Sequence, residues 1–318
     1  MIDDWSFMLG SPLHLDGGVV FEKIFRRINL KFLTFRKNNQ ATIGIKTDAG
    51  IIDINSISNE FNYNDMISVI KDIDKIRSGI NQNLKKINMQ SFIEENDISF
   101  GPCINPSKII CVGLNYKKHA EETKATIPES PILFNKFNNS IKAHKENIVL
   151  PKTSNKVDYE AELGIVIGQE TKDISESDAL DYVFGYCNAN DLSARDLQMK
   201  TPQWMLGKIA DGFCPVGPYL VTKDEVKNPN NLSIETYVNN QKKQSSHTSD
   251  MIFDCKYIVS YISQYLTLDP GDLIITGTPE GVVMGLPEQE QVWLKDNDEV
   301  IISIEKLGSL KNKMIAEN

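Results

Sequence analysis

From residue 30 onward, short apolar runs alternate with turn residues in a rhythm that predicts strands more often than helices. Residues 30–35 are mostly apolar, 41–46 alternate, and Asp48-Ala49-Gly50 turns the chain into an apolar run over 51–54. Met66, Ile67, Ile70, Ile73 and Ile76 recur at three- and four-residue intervals, which predicts a helical region between about 64 and 87. Past Gly101-Pro102 and Pro106, strand-like segments resume at 108–112, 158–168 and 182–190, the last entered from a short helix that Ser175 would cap. Ser233–Val238 and the residues after Asn239-Asn240 predict a hairpin. Ile258, Ile262 and Leu266 share one face of a helix that stops before Pro270-Gly271. The pattern divides the chain into an extension over 1–28, a small α+β N-terminal domain over 29–102, and a larger domain over 103–318. The fold class expected is α+β, predominantly β.

Composition narrows the classes of function. The chain has 318 residues, 41% hydrophobic and 24% charged, which is ordinary for a folded protein. Its net charge of −9 and lack of a basic stripe argue against nucleic-acid binding. Five cysteines without a CxxC pair fit buried thiols in a reducing compartment. No apolar run reaches the roughly 18 residues that cross a bilayer. Asp3 and Asp4 do not suit a signal peptide, so the cytoplasm is the expected location. Three scattered tryptophans (Trp5, Trp204, Trp293) do not suggest a sugar-binding platform.

The most informative segment runs from Asp158 to Gly168. Side chains two apart on a strand share a face, so Glu160 and Glu162 project together, opposite Ala161, Leu163, Ile165 and Ile167. Two such carboxylates repel by roughly 4 kcal/mol at about 4 Å when the effective dielectric is near 20, a cost that a hard cation with oxygen ligands removes. The alternative is a solvated face. A third acid, Asp191, ends the apolar run 182–190 at a strand tip, where its alternative role is the N-cap of the segment containing Arg195.

These residues belong to a longer series: Gly113-x-Asn115-Tyr116-x-x-His119, Glu160-x-Glu162, Asn190-Asp191-x-Ser193-Ala194-Arg195-Asp196-x-Gln198, Gly207-Lys208 with Asp211-x-Phe213-Cys214-Pro215, and Thr276-Gly277-Thr278-Pro279-x-Gly281-Val282. In this order and spacing, over about 105–310, the chain resembles the fumarylacetoacetate hydrolase family. One departure is Phe137 after Lys136, where relatives often have proline.

The resemblance implies a β-sandwich roll and a Mg²⁺ or Mn²⁺ ion held by Glu160, Glu162 and Asp191, with Ca²⁺ as another hard-cation option. It implies a homodimer or a dimer of dimers, and a 2-oxo or β-diketo acid that chelates the ion. Arg195, Gln198, Gly277 and Thr278 would bind substrate, Lys208 would stabilise negative charge beside the ion, and His119 with Glu122 would form an acid/base dyad on a lid. For that dyad the alternative is polar helix surface. The reaction expected first is C–C bond hydrolysis of an acylpyruvate or fumarylpyruvate through an enolate. Oxaloacetate decarboxylation, 2-hydroxy-dienedioate isomerisation or hydration, and 2-oxo-acid binding without turnover are the alternatives.

Overall fold

The computed structural model describes residues 30–38, 40–83, 87 and 89–317; the expectation for 1–28 lies outside them. The N-terminal part holds strands β1 (Lys31–Lys37), β2 (Gln40–Thr47) and β3 (Gly50–Asp53), then helices α1 (Met66–Lys71) and α2 (Ile73–Asn83). The helical region is therefore interrupted at Asp72. Asp72 leaves helical geometry (φ −105°, ψ 19°) and its carboxylate accepts from the Tyr63 hydroxyl. Asp65 caps α1 by accepting from the Ser68 N–H.

There follow β4 (Ile109–Gly113), α3 (Lys117–Glu122), β5 (Ile132–Lys136), β6 (Ala161–Ile167), β7 (Val183–Asn190), α4 (Arg195–Gln198), α5 (Met205–Lys208) and β8 (Cys214–Thr222). The chain ends with β9 (Ser233–Val238), β10 (Gln241–His247), α6 (Cys255–Tyr265), β11 (Leu273–Ile275), β12 (Glu299–Ile304) and β13 (Gly308–Ala316). Strand residues outnumber helical ones, as expected. Ser175 caps no helix; its hydroxyl bonds Asp178, and the 3-10 turn beyond starts at Ala179.

One sheet of twelve strands runs through both halves of the chain, in the order β3-β2-β1-β8-β7-β6-β11-β4-β5 across its main part. The two halves join where Lys31 and Phe32 of β1 pair with Val221 and Leu220 of β8. A second sheet of five strands runs β10-β9-β12-β13 and ends on Asn147–Leu150. Its β9–β10 hairpin turns through Asn239 (φ 50°) and Asn240 (φ 63°), the left-handed pair that a two-residue turn requires.

The core lies on both faces of the large sheet. Ala161, Leu163, Ile165 and Ile167 of β6 join Ile234, Val300, Ile302 and Leu310 of the second sheet in one cluster. Val166, Val216 and Leu220 face the other way and pack with Val69, Ile70, Ile76 and Ile80 of the N-terminal helices. A central strand covered on both faces reads as a continuous apolar run, which is why Glu162 within β6 and Glu160 just before it stand out. All five cysteines are buried and unpaired. No helix among the described residues is long and apolar enough to cross a membrane.

Candidate active site

The pairing of β6 with β7 builds the floor of the site. Ala161 lies opposite Asn190 and Glu162 opposite Ala189, so Glu160 and Asp191 flank the same end of the ladder. Two further bonds fix this: the Asp191 N–H donates to the Glu160 carbonyl at 3.0 Å, and the Glu160 N–H donates to the Asn190 side chain at 3.0 Å. Carboxylate oxygens of Glu160, Glu162 and Asp191 lie within 4.8 Å of one another. They are 5%, 2% and 0% exposed, so the solvated-face alternative does not hold. Nor does the capping alternative for Asp191, because Ala194 occupies the N-cap of α4.

Burying acids this close demands cations. Lys136 donates to Asp191 Oδ1 at 2.5 Å and to the Leu192 carbonyl. Lys208 donates to Glu160 Oε2 at 2.7 Å and to Asp191 Oδ2 at 2.6 Å. Arg195 reaches Glu160 Oε1 at 2.6 Å, Asp158 Oδ2 at 3.0 Å and Gln198 Oε1 at 2.9 Å. Among the described residues, Glu162 receives only the Gly277 N–H, at 2.6 Å.

The two glutamates consequently diverge. Burial alone would raise Glu160, but Arg195 and then Lys208 hold it far below the usual carboxylate range. Burial raises Glu162, and the carboxylates of Asp191 and Glu160 push it further. Four buried carboxylates, counting Asp158, thus face three cations, and a divalent ion would turn one net negative charge into one net positive. The donor set is all oxygen, which suits Mg²⁺ or Mn²⁺. Lys208 spans the edge between Glu160 and Asp191, so an ion would contest that edge with its ammonium, while none of the described cations pairs with Glu162.

Opposite this floor, α3 brings in His119. The ring is 4% exposed and its Nδ1 lies 2.8 Å from Glu122 Oε1. Glu122 Oε2 accepts from the Gly281 N–H at 2.9 Å, which ties the helix to the loop after β11. His119 is therefore buried over a cleft of about 70 Å³, with the half-buried Glu122 behind it, and the pair is not solvated helix surface. His119, Glu160, Glu162, Arg195, Gln198, Lys208 and Thr278 all line that cleft, with Phe134 and Trp204 as its apolar wall. Gly277 stands behind it with φ 95°, and a Cβ there would lie 2.8 Å from that of Asn115. Every site residue expected from the sequence is thus in or against one cleft.

Three residues were not picked out by sequence reasoning. Lys136 showed no signal beyond its departure from the lysine-proline pattern; Phe137 adopts φ −110°, which proline does not reach, yet Lys136 still meets Asp191. Asp158 belongs to the same two-residue period as Glu160 and Glu162; it accepts from Arg195 and from the N–H groups of Val283 and Met284. Gln244, on the second sheet, reaches Thr278.

Residues 108–315 match the family model described as "Fumarylacetoacetate (FAA) hydrolase C-terminal". The fumarylacetoacetate hydrolase domain-containing protein 2 homolog of Dictyostelium discoideum is 42% identical over 300 residues, 90% of this chain and 97% of that protein. A mitochondrial oxaloacetate tautomerase of Rattus norvegicus is 45% identical over 225 residues, 70% of this chain and 71% of that protein. Its compartment does not fit an assignment to the cytoplasm alone. Among solved structures, maleylpyruvate hydrolase from Sphingobium sp. SYK-6, in complex with manganese(II) and pyruvate, is similar at a TM-score of 0.75 and 27% identity, over 91% of this chain and 100% of that one.

Proposed function

Because the chain belongs to the fumarylacetoacetate hydrolase family, we propose that it is a divalent-metal-dependent enzyme that catalyses keto–enol proton transfer on a small 2-oxo diacid of the oxaloacetate type. The observation that carries this reading is the buried His119, hydrogen-bonded to Glu122, facing the acidic trio across one cleft. With Glu122 ionised, Nδ1 of His119 donates to it, which leaves Nε2 as the basic nitrogen. That nitrogen takes a proton from the carbon beside the keto group and returns one to the enol oxygen, or the reverse. The 45% identity to a tautomerase favours this over the C–C hydrolysis expected from the sequence.

Glu160, Glu162 and Asp191 would hold Mg²⁺ or Mn²⁺. When bound, the ion polarises the keto group of a chelating 2-oxo acid and acidifies the adjacent C–H. The protein side of the cleft is rich in donors. Gln198 gives its Oε1 to Arg195, which turns its amide NH₂ outward. Arg195 commits three of its five N–H groups to Asp158, Glu160 and Gln198, leaving two for a carboxylate. Lys208 would balance charge developing on the substrate oxygen, and Thr278 would donate to a carboxylate of the ligand, with Gly277 behind it holding Glu162 through its N–H.

Hydrolysis of an acylpyruvate is the second reading. A His119 oriented by Glu122 can equally deprotonate water, and the maleylpyruvate hydrolase neighbour has the same fold. We also place the protein in a reducing compartment, cytoplasm or mitochondrial, on its five buried free cysteines, and as a homodimer or dimer of dimers by its family. The test is ultraviolet decay of enol-oxaloacetate with Mg²⁺ or Mn²⁺, run beside an acylpyruvate panel and pyruvate release. No metal-dependent acceleration of oxaloacetate ketonisation ends the first reading. Turnover of acylpyruvate alone installs the second, and tight oxalate binding without any turnover would leave a binding protein.

A further inference from the structure

We infer that Gln244 is a positioning residue that sets the hydroxyl of Thr278 as a hydrogen-bond donor toward the anionic ligand; this rests on the anion-binding reading of the cleft given above. Strand β10 reads Gln-Lys-Lys-Gln-Ser-Ser-His and lies at the edge of the second sheet. Six of its seven side chains are exposed or half-buried, and Gln244 alone is buried, at 1% exposure. A polar edge strand would not bury a glutamine without a use for its two donors and two acceptor sites. Here all four are engaged.

The orientation of that amide follows from a group whose role is not in question. The backbone N–H of Ala161, between the two glutamates of the trio, can only donate, and it lies 3.0 Å from Gln244 Oε1. The Thr236 hydroxyl, directly across the β9–β10 pair, donates to the same oxygen at 2.6 Å. Nε2 therefore faces the loop after β11, where it donates to the Pro279 carbonyl and to Thr278 Oγ1, each at 2.9 Å. Thr278 accepts from Gln244 and donates to no described residue, while lining the cleft at 4% exposure. Its proton is thus turned away from Gln244 and toward the cleft, the arrangement that suits a carboxylate. One glutamine also ties β6, which bears the acids, to the loop that meets the ligand, so the spacing between them is set from the second sheet.

The test uses the full chain with Mn²⁺ and oxalate as the probe. Gln244→Glu keeps the shape but supplies an acceptor, which draws the Thr278 proton out of the cleft. Oxalate should bind about tenfold or more weakly, and Thr278→Val should lose a similar factor, since each removes one hydrogen bond to a charged ligand. The double variant should be no weaker than the weaker single, Thr278→Ser should bind like the parent, and Mn²⁺ alone, followed by its paramagnetic resonance, should bind all variants equally. With oxaloacetate, KM should rise with kcat within about threefold. If Gln244→Glu does not fold, Gln244→Met replaces it in the same cycle. Unchanged oxalate affinity in either Gln244 variant or in Thr278→Val, or losses that multiply in the double variant, would overturn the inference. An intact cycle in a protein that does not turn over oxaloacetate upholds it and removes only the reaction proposed above.

Discussion

The floor of the cleft and its lid handle charge in opposite ways. On the floor, Glu160, Glu162 and Asp191 sit at the ends of two central strands, at most 5% exposed, each carboxylate held by buried lysine, arginine or backbone N–H. The lid is a six-residue helix, too short to persist by itself. It is attached by the Glu122 carboxylate on Gly281, the Lys118 N–H on Asp250, a bridge from Tyr116 to Met251, and the Asn115 amide on Thr276 and Phe253. The difference teaches where the molecule spends rigidity. Groups that must keep like charges together are built into the sheet, while the group we propose to carry the proton hangs on a few contacts to loops.

If that division is right, damage to the floor is felt by the fold and damage to the lid only by the reaction. The largest effect is expected at Asp191→Asn. Lys136 and Lys208 would lose their shared counter-ion, costing about 3 kcal/mol in denaturant unfolding, and Mn²⁺ affinity should fall more than about a hundredfold. His119→Gln should lower the metal-dependent rate by about 10² to 10⁴, yet leave oxalate binding and the unfolding midpoint near the parent's. An unfolding curve that moved as far as that of Asp191→Asn would erase the distinction.

A third, charge-free burial provides a reference away from both regions. His144, 8% exposed, accepts from the Lys311 N–H, and burial, then Lys145, hold its pKa down at about 4. The folded protein therefore resists protonation where the unfolded chain, near 6.5, accepts it. Stability is complete above about pH 6.5 and falls by at most about 3 kcal/mol as pH drops toward 4. His144→Gln should flatten that part of the stability–pH curve without changing catalysis at pH 7.5. The smallest effect belongs to Lys118→Ala, whose exposed ammonium lies 3.7 Å from Glu280; rate and stability should shift by less than about twofold and 0.5 kcal/mol.

What could be read from the sequence was whatever a local period records. The two-residue spacing of Glu160 and Glu162, the Asn239-Asn240 turn and the helix ending before Pro270 all appear in the structure as expected. The interruption at Asp72 was not visible, because the apolar positions continue in helical register and only the Tyr63 hydroxyl, nine residues back, marks the break. The joining of β1 to β8 was likewise invisible, since it links Phe32 to Leu220 across the whole chain. Lys136 and Gln244 belong to the same class. A lysine after an apolar strand and a glutamine in a polar one look like surface until distant strands close over them. Family motifs supplied Arg195, Lys208 and Thr278, for which no periodicity speaks.

Lys208 lying across Glu160 and Asp191 has a practical outcome for the life of the protein. A cluster of acids balanced in large part by its own side chains can be synthesised and folded where magnesium is scarce and, on the function proposed above, loaded afterwards. Chelators should therefore silence such an enzyme reversibly, with its circular dichroism intact, unlike a zinc finger that unravels when stripped.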